Sequence, residues 1–221
     1  MPVSDKDITA IKAVALIQKQ ARKFRVPSVT QISLLNNPYK VLISCILSLR
    51  TKDKTTIEAS KRLFRVADDP WAMVKLSSGR IEKAIFPVGF YRNKAKVILG
   101  LSRKIINNFQ GKVPERIEDL LSFKGVGRKT ANLVLGLGFG IPAICVDTHV
   151  HRISNRLGWV KTNKPEETEM ALRAVFPERF WIGLNTTLVA FGQNLCLPVS
   201  PLCSICDAVC LCKRLGVEKS R

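Results

Sequence analysis

Residues 123–130 read Phe123-Lys124-Gly125-Val126-Gly127-Arg128-Lys129-Thr130. A helical pattern ends near Phe123, two glycines one residue apart turn the chain, and a second helical pattern starts near Arg128. Glycine permits positive φ and lets the backbone approach a ligand closely. The amides that open the second helix point outward with its dipole behind them, so the turn can hold a DNA phosphate without reading any base. A P-loop is excluded, because G-x-x-x-x-G-K-[ST] is absent and no strand pattern precedes the turn. Taken alone, Gly-x-Gly between helices reads equally as a plain helix–helix turn. Lys129 falls in the first turn of the new helix, where the dipole disfavours positive charge and so favours the neutral amine, the form that attacks carbon. Its simpler role is that of a phosphate-binding lysine.

Outward from the turn, the chain reads as all-α. Helical patterns are expected over 5–23, 39–50, 54–64, 79–85, 93–109, 117–123, 128–139, 148–157, 165–175 and 181–191, separated by Gly, Pro or Asn. Ser4 and Asp7 are a candidate capping pair for the first. The segment Tyr39–Arg50 is apolar almost all round, the mark of a buried central helix. No run alternates long enough to require a strand, and no repeat or low-complexity linker occurs.

The charge names a class of partner. Among 221 residues, 36 Lys and Arg face 17 Asp and Glu, a net +19 that exceeds what solubility requires and points to a polyanion. Between Glu82 and Glu115 there is no acid, while Lys83, Arg92, Lys94, Lys96, Arg103, Lys104 and Lys112 all occur. The interval from Asp119 to Asp147 is also acid-free and holds Lys124, Arg128 and Lys129. Any one of these lysines is most simply on a solvated face; together the two stretches read as walls of a groove that takes phosphates. The apolar runs 41–49 and 131–146 are too short or too broken by glycine and proline to span a bilayer. Asp5, Lys6, Asp7 and Lys12 interrupt any signal-like apolar run at the start. The expectation is an intracellular protein, cytoplasmic or nucleoid-associated, with no membrane contact.

Asp147 opens a helical pattern in Val146-Asp147-Thr148-His149. Aspartate is among the best N-caps, and a capping carboxylate is held rigidly with one oxygen left to face a reacting group. Near the end of the chain, Cys196, Cys203, Cys206 and Cys212 stand in the pattern C-x6-C-x2-C-x5-C, a chelate for an iron–sulfur cluster or zinc. Cys210 in place of Cys212 gives a feasible chelate as well. Disulfides are the competing reading, against which stand the odd total of seven cysteines and their clustering. Cys45 and Cys145 lie in apolar runs and read as core, and His149 and His151 have no second ligand-type neighbour.

Several of these segments occur together in one known family. Gly-Val-Gly-Arg-Lys-Thr-Ala-Asn at 125–132, Val-Asp-Thr-His at 146–149 and the cysteine spacing resemble the helix–hairpin–helix DNA glycosylases of the endonuclease III type. Leu47-Ser48-Leu49-Arg50-Thr51-Lys52-Asp53 and Gly89-Phe90-Tyr91-Arg92-Asn93-Lys94-Ala95 look like two further DNA-facing segments of that family. The resemblance covers nearly the whole chain in consistent order.

The resemblance implies two helical domains with the active site in a cleft between them. One is a six-helix domain near 31–141 carrying the hairpin; the other joins 1–30 to 142–221 and carries the cluster loop. Lys129 matches the nucleophile that attacks the sugar C1′, and Asp147 the carboxylate that stabilises charge on the sugar as the base leaves. Cys196, Cys203, Cys206 and Cys212 match the ligands of a [4Fe-4S] cluster, leaving Cys210 spare. DNA contacts are implied for Arg50, Phe90, Arg92, Lys94, Lys124, Gly125, Val126, Gly127 and Arg128. The partner is double-stranded damaged DNA, with the target nucleotide flipped from the stack, and the protein is expected to be a monomer. The implied activity is excision of oxidised pyrimidines through a lysine imine, with strand nicking by β-elimination. Two alternatives stand beside it: a monofunctional mismatch-type glycosylase, and a non-enzymatic DNA-binding protein holding a cluster or zinc.

The chain departs from the family at four positions. Lys124 replaces the proline usual before the hairpin glycines, Arg50 stands where Gln often fills the gap left by the flipped base, and Phe90 where Leu commonly wedges into the duplex. Leu121 lies where some members carry an acid near the base pocket.

Overall fold

The structure is a computed structural model that describes residues 5–34 and 37–221, so Ser4 of the candidate capping pair lies outside the described residues. Among the described residues the ordered elements are helices and turns, with no strand. Contacts divide the chain into two compact units, one of Ser28–Ile141 and one of Met1–Pro27 with Pro142–Arg221.

The first unit is built around α3 (Pro38–Ser48). Asn37 caps it, its Oδ1 accepting from the amide of Lys40 at 3.0 Å, and Pro38 supplies a preset φ at the first position. Val41, Leu42, Ile43, Ile46 and Leu47 are all buried, as the all-round apolar pattern requires. Each such side chain contributes about 1.5–3 kcal/mol relative to exposure. Around it pack α2 (Ser28–Ser33), α4 (Asp53–Val66), α7 (Tyr91–Phe109) and α9 (Arg128–Leu133). The short helices α5 (Pro70–Val74), α6 (Ser78–Ile85) and α8 (Ile117–Leu121) complete the unit. The helix expected over 128–139 is α-helical only to Leu133 and continues as a π-helical turn over Val134–Gly138. There a Cβ on Gly138 would stand 3.2 Å from Pro38 Cα, so glycine is what lets this turn lie against the start of α3.

The second unit brings α1 (Asp5–Ala21) together with α10 (Thr148–Leu157), α11 (Pro165–Val175) and α12 (Trp181–Asn194). Ala13, Val14 and Ile17 of α1, Val150 and Ile153 of α10, and Leu188 and Phe191 of α12 share one buried cluster. Trp159 and Phe176 meet edge-on in the same core, with ring centroids 5.0 Å apart. Among the described residues, no helix is long and apolar enough to cross a membrane.

One buried charge ties the first unit's loops to its core. Lys94 on α7 is 6% exposed, and its Nζ donates to the carbonyl oxygens of Leu47 at 2.9 Å and Leu49 at 2.5 Å, and to Thr51 Oγ1 at 3.2 Å. Thr51 Oγ1 in turn accepts from the amide of Gly89 at 3.2 Å, linking the loop after α3 to the loop before α7. Burial pushes the Lys94 ammonium down to about 8. Lys94→Met should destabilise the protein by about 1–3 kcal/mol at neutral pH, because two carbonyls lose their donor. With the folded value below the unfolded one near 10.4, the unfolded chain binds the extra proton between those pH values. The wild-type advantage over Lys94→Met should therefore grow as pH rises from about 8 towards 10.4 in denaturant titrations, and a flat difference would contradict this.

Candidate functional site

The turn between α8 and α9 takes a form only glycine allows at one point. Gly125 has φ +84°, and a Cβ there would stand 3.2 Å from Val97 Cγ1. Gly127 is extended, with φ −98°, and an added Cβ would meet nothing within 4 Å. Its lack of a side chain leaves open space in front of α9, whose first amides receive no side-chain cap. Val126 is buried at 7% exposure, so its part in any ligand contact is confined to its backbone. Lys124 and Lys129 are exposed and Arg128 is half-buried. Lys129 lies within electrostatic reach of Cys45 on α3: burial pushes that thiol up to about 12, and the Lys129 charge pulls the other way.

On the same unit, Arg50 at φ +52° and Phe90 at φ +57° stand in the left-handed region without being glycine, as does Gln110 at the end of α7. Such a conformation costs about 1–3 kcal/mol per residue and persists only where its surroundings dictate it. The Arg50 guanidinium carbon lies 5.8 Å from the centroid of the Phe90 ring, and Phe90 is 64% exposed, so a cation and an aromatic ring project side by side. A Cβ on Gly89 would meet the Arg50 carbonyl oxygen at 2.6 Å, which fixes the close approach of the two loops. An apolar cavity of about 380 Å³ opens beside this pair, lined by Ile46, Leu49, Phe90, Val97 and Gly125 among others. Arg92 is exposed and stacks over Tyr91 at 5.3 Å.

Lys94 requires a correction. The reading as a DNA contact fails, because the side chain is buried and its three ammonium donors are all engaged within the protein. Its work is internal: it holds the segments that carry Arg50 and Phe90.

In the second unit, Asp147 caps α10 as the local sequence predicts. Its Oδ1 accepts from the amides of His149 and Val150, both at 2.9 Å, so the cap engages one carboxylate oxygen. The preceding segment is fixed by the buried side chains of Ile144 and Val146, and by Asn185 Nδ2 donating to the Cys145 carbonyl at 3.2 Å. His151 Nδ1 lies 2.7 Å from Thr168 Oγ1, which places it in the packing between α10 and α11.

The same helix organises the cysteine loop. Arg156 is buried, and its Nη1 donates to Cys196 Sγ at 3.3 Å and to the Leu197 carbonyl at 2.8 Å, while Nη2 donates to the Pro198 carbonyl at 3.1 Å. Arg152 Nη2, one turn earlier, donates to the carbonyls of Gly192 at 3.2 Å and Cys196 at 2.9 Å. The Arg214 amide donates to Cys212 Sγ at 3.3 Å. From α1, Gln20 donates to the Ile205 carbonyl at 2.6 Å and accepts from the Asp207 amide at 3.2 Å, bracketing Cys206. Burial pushes the Cys206 thiol up to about 11, and charge on Cys196, Cys212 and Cys203 acts in the same direction. Burial likewise raises Cys212, with Cys196 and Cys203 adding to it. Cys196, Cys203, Cys206 and Cys212 thus lie within electrostatic reach of one another, and exposed Cys210 contributes to neither shift. Soft sulfurs that already accept N–H bonds are a donor set suited to iron. Among the described residues, no three Cys, His, Asp or Glu side chains stand as the ligand set of a single metal ion.

Residue types alone did not reveal Arg152, Arg156 or Gln20 as supports of this loop. The only hint was the i,i+4 spacing of the two arginines on the helix that Asp147 opens.

Known proteins share both the sequence and the fold. Residues 43–178 match the family described as HhH-GPD superfamily base excision DNA repair protein. Endonuclease III of Thermotoga maritima is 50% identical over 170 residues, which cover 77% of this chain and 80% of that protein. Endonuclease III homolog 1, chloroplastic, of Arabidopsis thaliana is 40% identical over 82% of this chain, which spans only 50% of that longer relative. A solved structure described as a non-covalent endonuclease III–DNA complex aligns with TM-score 0.82 at 31% identity, covering 94% of this chain and 95% of that one. Another, described as a trapped endonuclease III–DNA covalent intermediate in an estranged-adenine complex, aligns with TM-score 0.75 at 32% identity over 89% of this chain and 96% of that one. On the strength of these matches and the hairpin they contain, the chain belongs to the HhH-GPD superfamily of base excision DNA repair proteins.

Proposed function

We propose that this protein is a DNA glycosylase with AP lyase activity that removes oxidised pyrimidines from duplex DNA as a monomer inside the cell. The observation that carries the reading is exposed Lys129 in the first turn behind a Gly125–Gly127 hairpin, in a chain of this family. The hairpin amides hold a backbone phosphate, and Arg50 and Phe90 enter the stack where the target nucleotide has flipped out. The neutral amine of Lys129 forms a bond to C1′ of the sugar as the N-glycosidic bond breaks, and the base leaves with the electron pair and takes up a proton. Asp147 offsets the positive charge that develops on the sugar, and accepts and relays the proton shed by the new C1′–N bond. Ring opening yields an imine, loss of a C2′ proton expels the 3′ phosphate, and water then releases the lysine.

Cys196, Cys203, Cys206 and Cys212 are proposed to hold a [4Fe-4S] cluster. A four-iron cluster takes one thiolate at each iron and so accepts sulfurs spaced more widely than a single zinc ion, with Zn–S bonds of about 2.3 Å, would require. When bound, the cluster supplies four iron–sulfur bonds that pin the loop from Cys196 to Cys212. Base excision moves no electrons, so the loop's contribution is to stability and DNA affinity.

Borohydride should trap the wild-type protein covalently on a duplex carrying an oxidised pyrimidine, and the strand should be nicked without added base or heat. Lys129→Ala should abolish trapping; trapping at the wild-type rate would remove Lys129 from the mechanism, and excision without nicking would favour the monofunctional alternative. Asp147→Asn keeps a good N-cap while losing the charge, so it should fold normally and slow excision roughly 10²–10³-fold. Purified protein should contain iron and a visible charge-transfer band, both lost in Cys212→Ser and kept in Cys210→Ser. Removing the iron should lower DNA affinity before it alters bond cleavage in protein-saturated assays, and full affinity in a folded iron-free protein would contradict that role.

A further inference from the structure

Helix α7 carries a second concave surface beside the hairpin. A cavity of about 320 Å³ is lined by Asn93, Lys96, Val97, Gly100, Lys104 and Lys124, among others. The α7 members recur three and four residues apart and so share one face of the helix. Asn93 and Val97 also line the apolar cavity beside Phe90, so the two cavities adjoin along α7.

Three features mark this surface as a site for an anion. First, it is cationic and unneutralised: α7 contains no acid, and among the described residues no carboxylate forms an ion pair with Lys96, Lys104 or Lys124. Second, Lys104 is already positioned, its Nζ donating to the Ser122 carbonyl at 2.7 Å and to Ser122 Oγ at 3.1 Å while it lies 5.3 Å from the Phe123 ring centroid. Of three ammonium donors, two are engaged and one remains for a ligand. Third, Gly100 sits in the middle of this face, seven residues after Asn93, where it costs about 1 kcal/mol relative to alanine. A Cβ there would meet nothing within 4 Å, so no packing neighbour explains the glycine. An open glycine between two lysines gives a ligand direct access to the helix backbone.

We propose that Lys96, Gly100 and Lys104 of α7, with Lys124 from the hairpin, form a binding site for a backbone phosphodiester of duplex DNA, separate from the phosphate held by the hairpin amides. The site rests on the reading of this protein as a duplex-DNA enzyme, and extends its footprint along α7. It anchors the flank of the lesion and contributes affinity without sequence preference.

The test measures duplex affinity against salt for the full-length protein. Lys96→Gln and Lys104→Gln should each lower the slope of log K against log[salt] by about 1 and weaken binding equally across sequences. Gly100→Leu, which fills the cavity without changing charge, should weaken binding at low salt while the protein retains its thermal stability. Arg103→Gln, on the same helix but outside the cavity, should leave the slope unchanged. An unchanged slope in both lysine variants overturns the site, and so does an equal drop in Arg103→Gln, which would show diffuse attraction. Wild-type excision of the lesion is assayed in parallel: no excision with the slope changes intact would sink the glycosylase reading while leaving the phosphate site standing. If Gly100→Leu fails to fold, the two lysine variants against Arg103→Gln still decide the question.

Discussion

The ammonium of Lys94 lies at the C-terminal end of α3 and donates to the carbonyls of Leu47 and Leu49. Helix ends leave backbone groups without intrahelical partners, and Leu47, which carries one of them, is fully buried. A long side chain from α7 satisfies them instead, and through Thr51 it also fixes the loop before α7. The left-handed conformations of Arg50 and Phe90 depend on that arrangement, since neither would hold a costly φ on a loose loop. A buried charge is an unusual choice for this task. Its low proton affinity records the burial cost, and its three donors offset it.

The second unit obeys the same constraint with opposite polarity. At the start of α10 the orphan groups are amides, and a carboxylate, Asp147, accepts from two of them. Towards its other end, α10 carries two arginines that serve carbonyls where α12 gives way to the cysteine loop. One helix of ten residues therefore presents a proposed catalytic carboxylate at its tip and a scaffold for the cysteine loop on its flank. The first turn of α9 differs: no side chain caps it, and Gly127 keeps the space before it open.

Much of this was legible in the sequence where the signals are local. Helix α10 has its expected limits because Asp147 and Gly158 are strong start and stop residues, Gly158 taking φ +76°. Likewise α11 begins at Pro165 as read, since proline favours that position. The helices α2 and α5, of six and five residues, left no periodic pattern long enough to detect, and packing against α3 and α7 holds them. The π turn over Val134–Gly138 left no local signal either, and its Gly138 lies against Pro38, a hundred residues earlier. Lys94 misled because composition records a charge and not its burial. Among the cysteines, either Cys210 or Cys212 completes a feasible chelate; the family resemblance favours Cys212, and in the folded loop Cys210 is the exposed thiol.

The positive φ of Arg50 and Phe90 also limits how this protein can evolve. A side chain branched at Cβ clashes with its own backbone in that region, so valine, isoleucine and threonine are closed to both positions. Unbranched residues remain open, whether charged, amide, aliphatic or aromatic. Lineages can therefore exchange the chemistry presented at these positions, swapping a guanidinium for an amide or a ring for an isobutyl group, without disturbing the loops that carry it. Diversification at these two positions runs along the length and polarity of the side chain, with its first carbon held to a single shape.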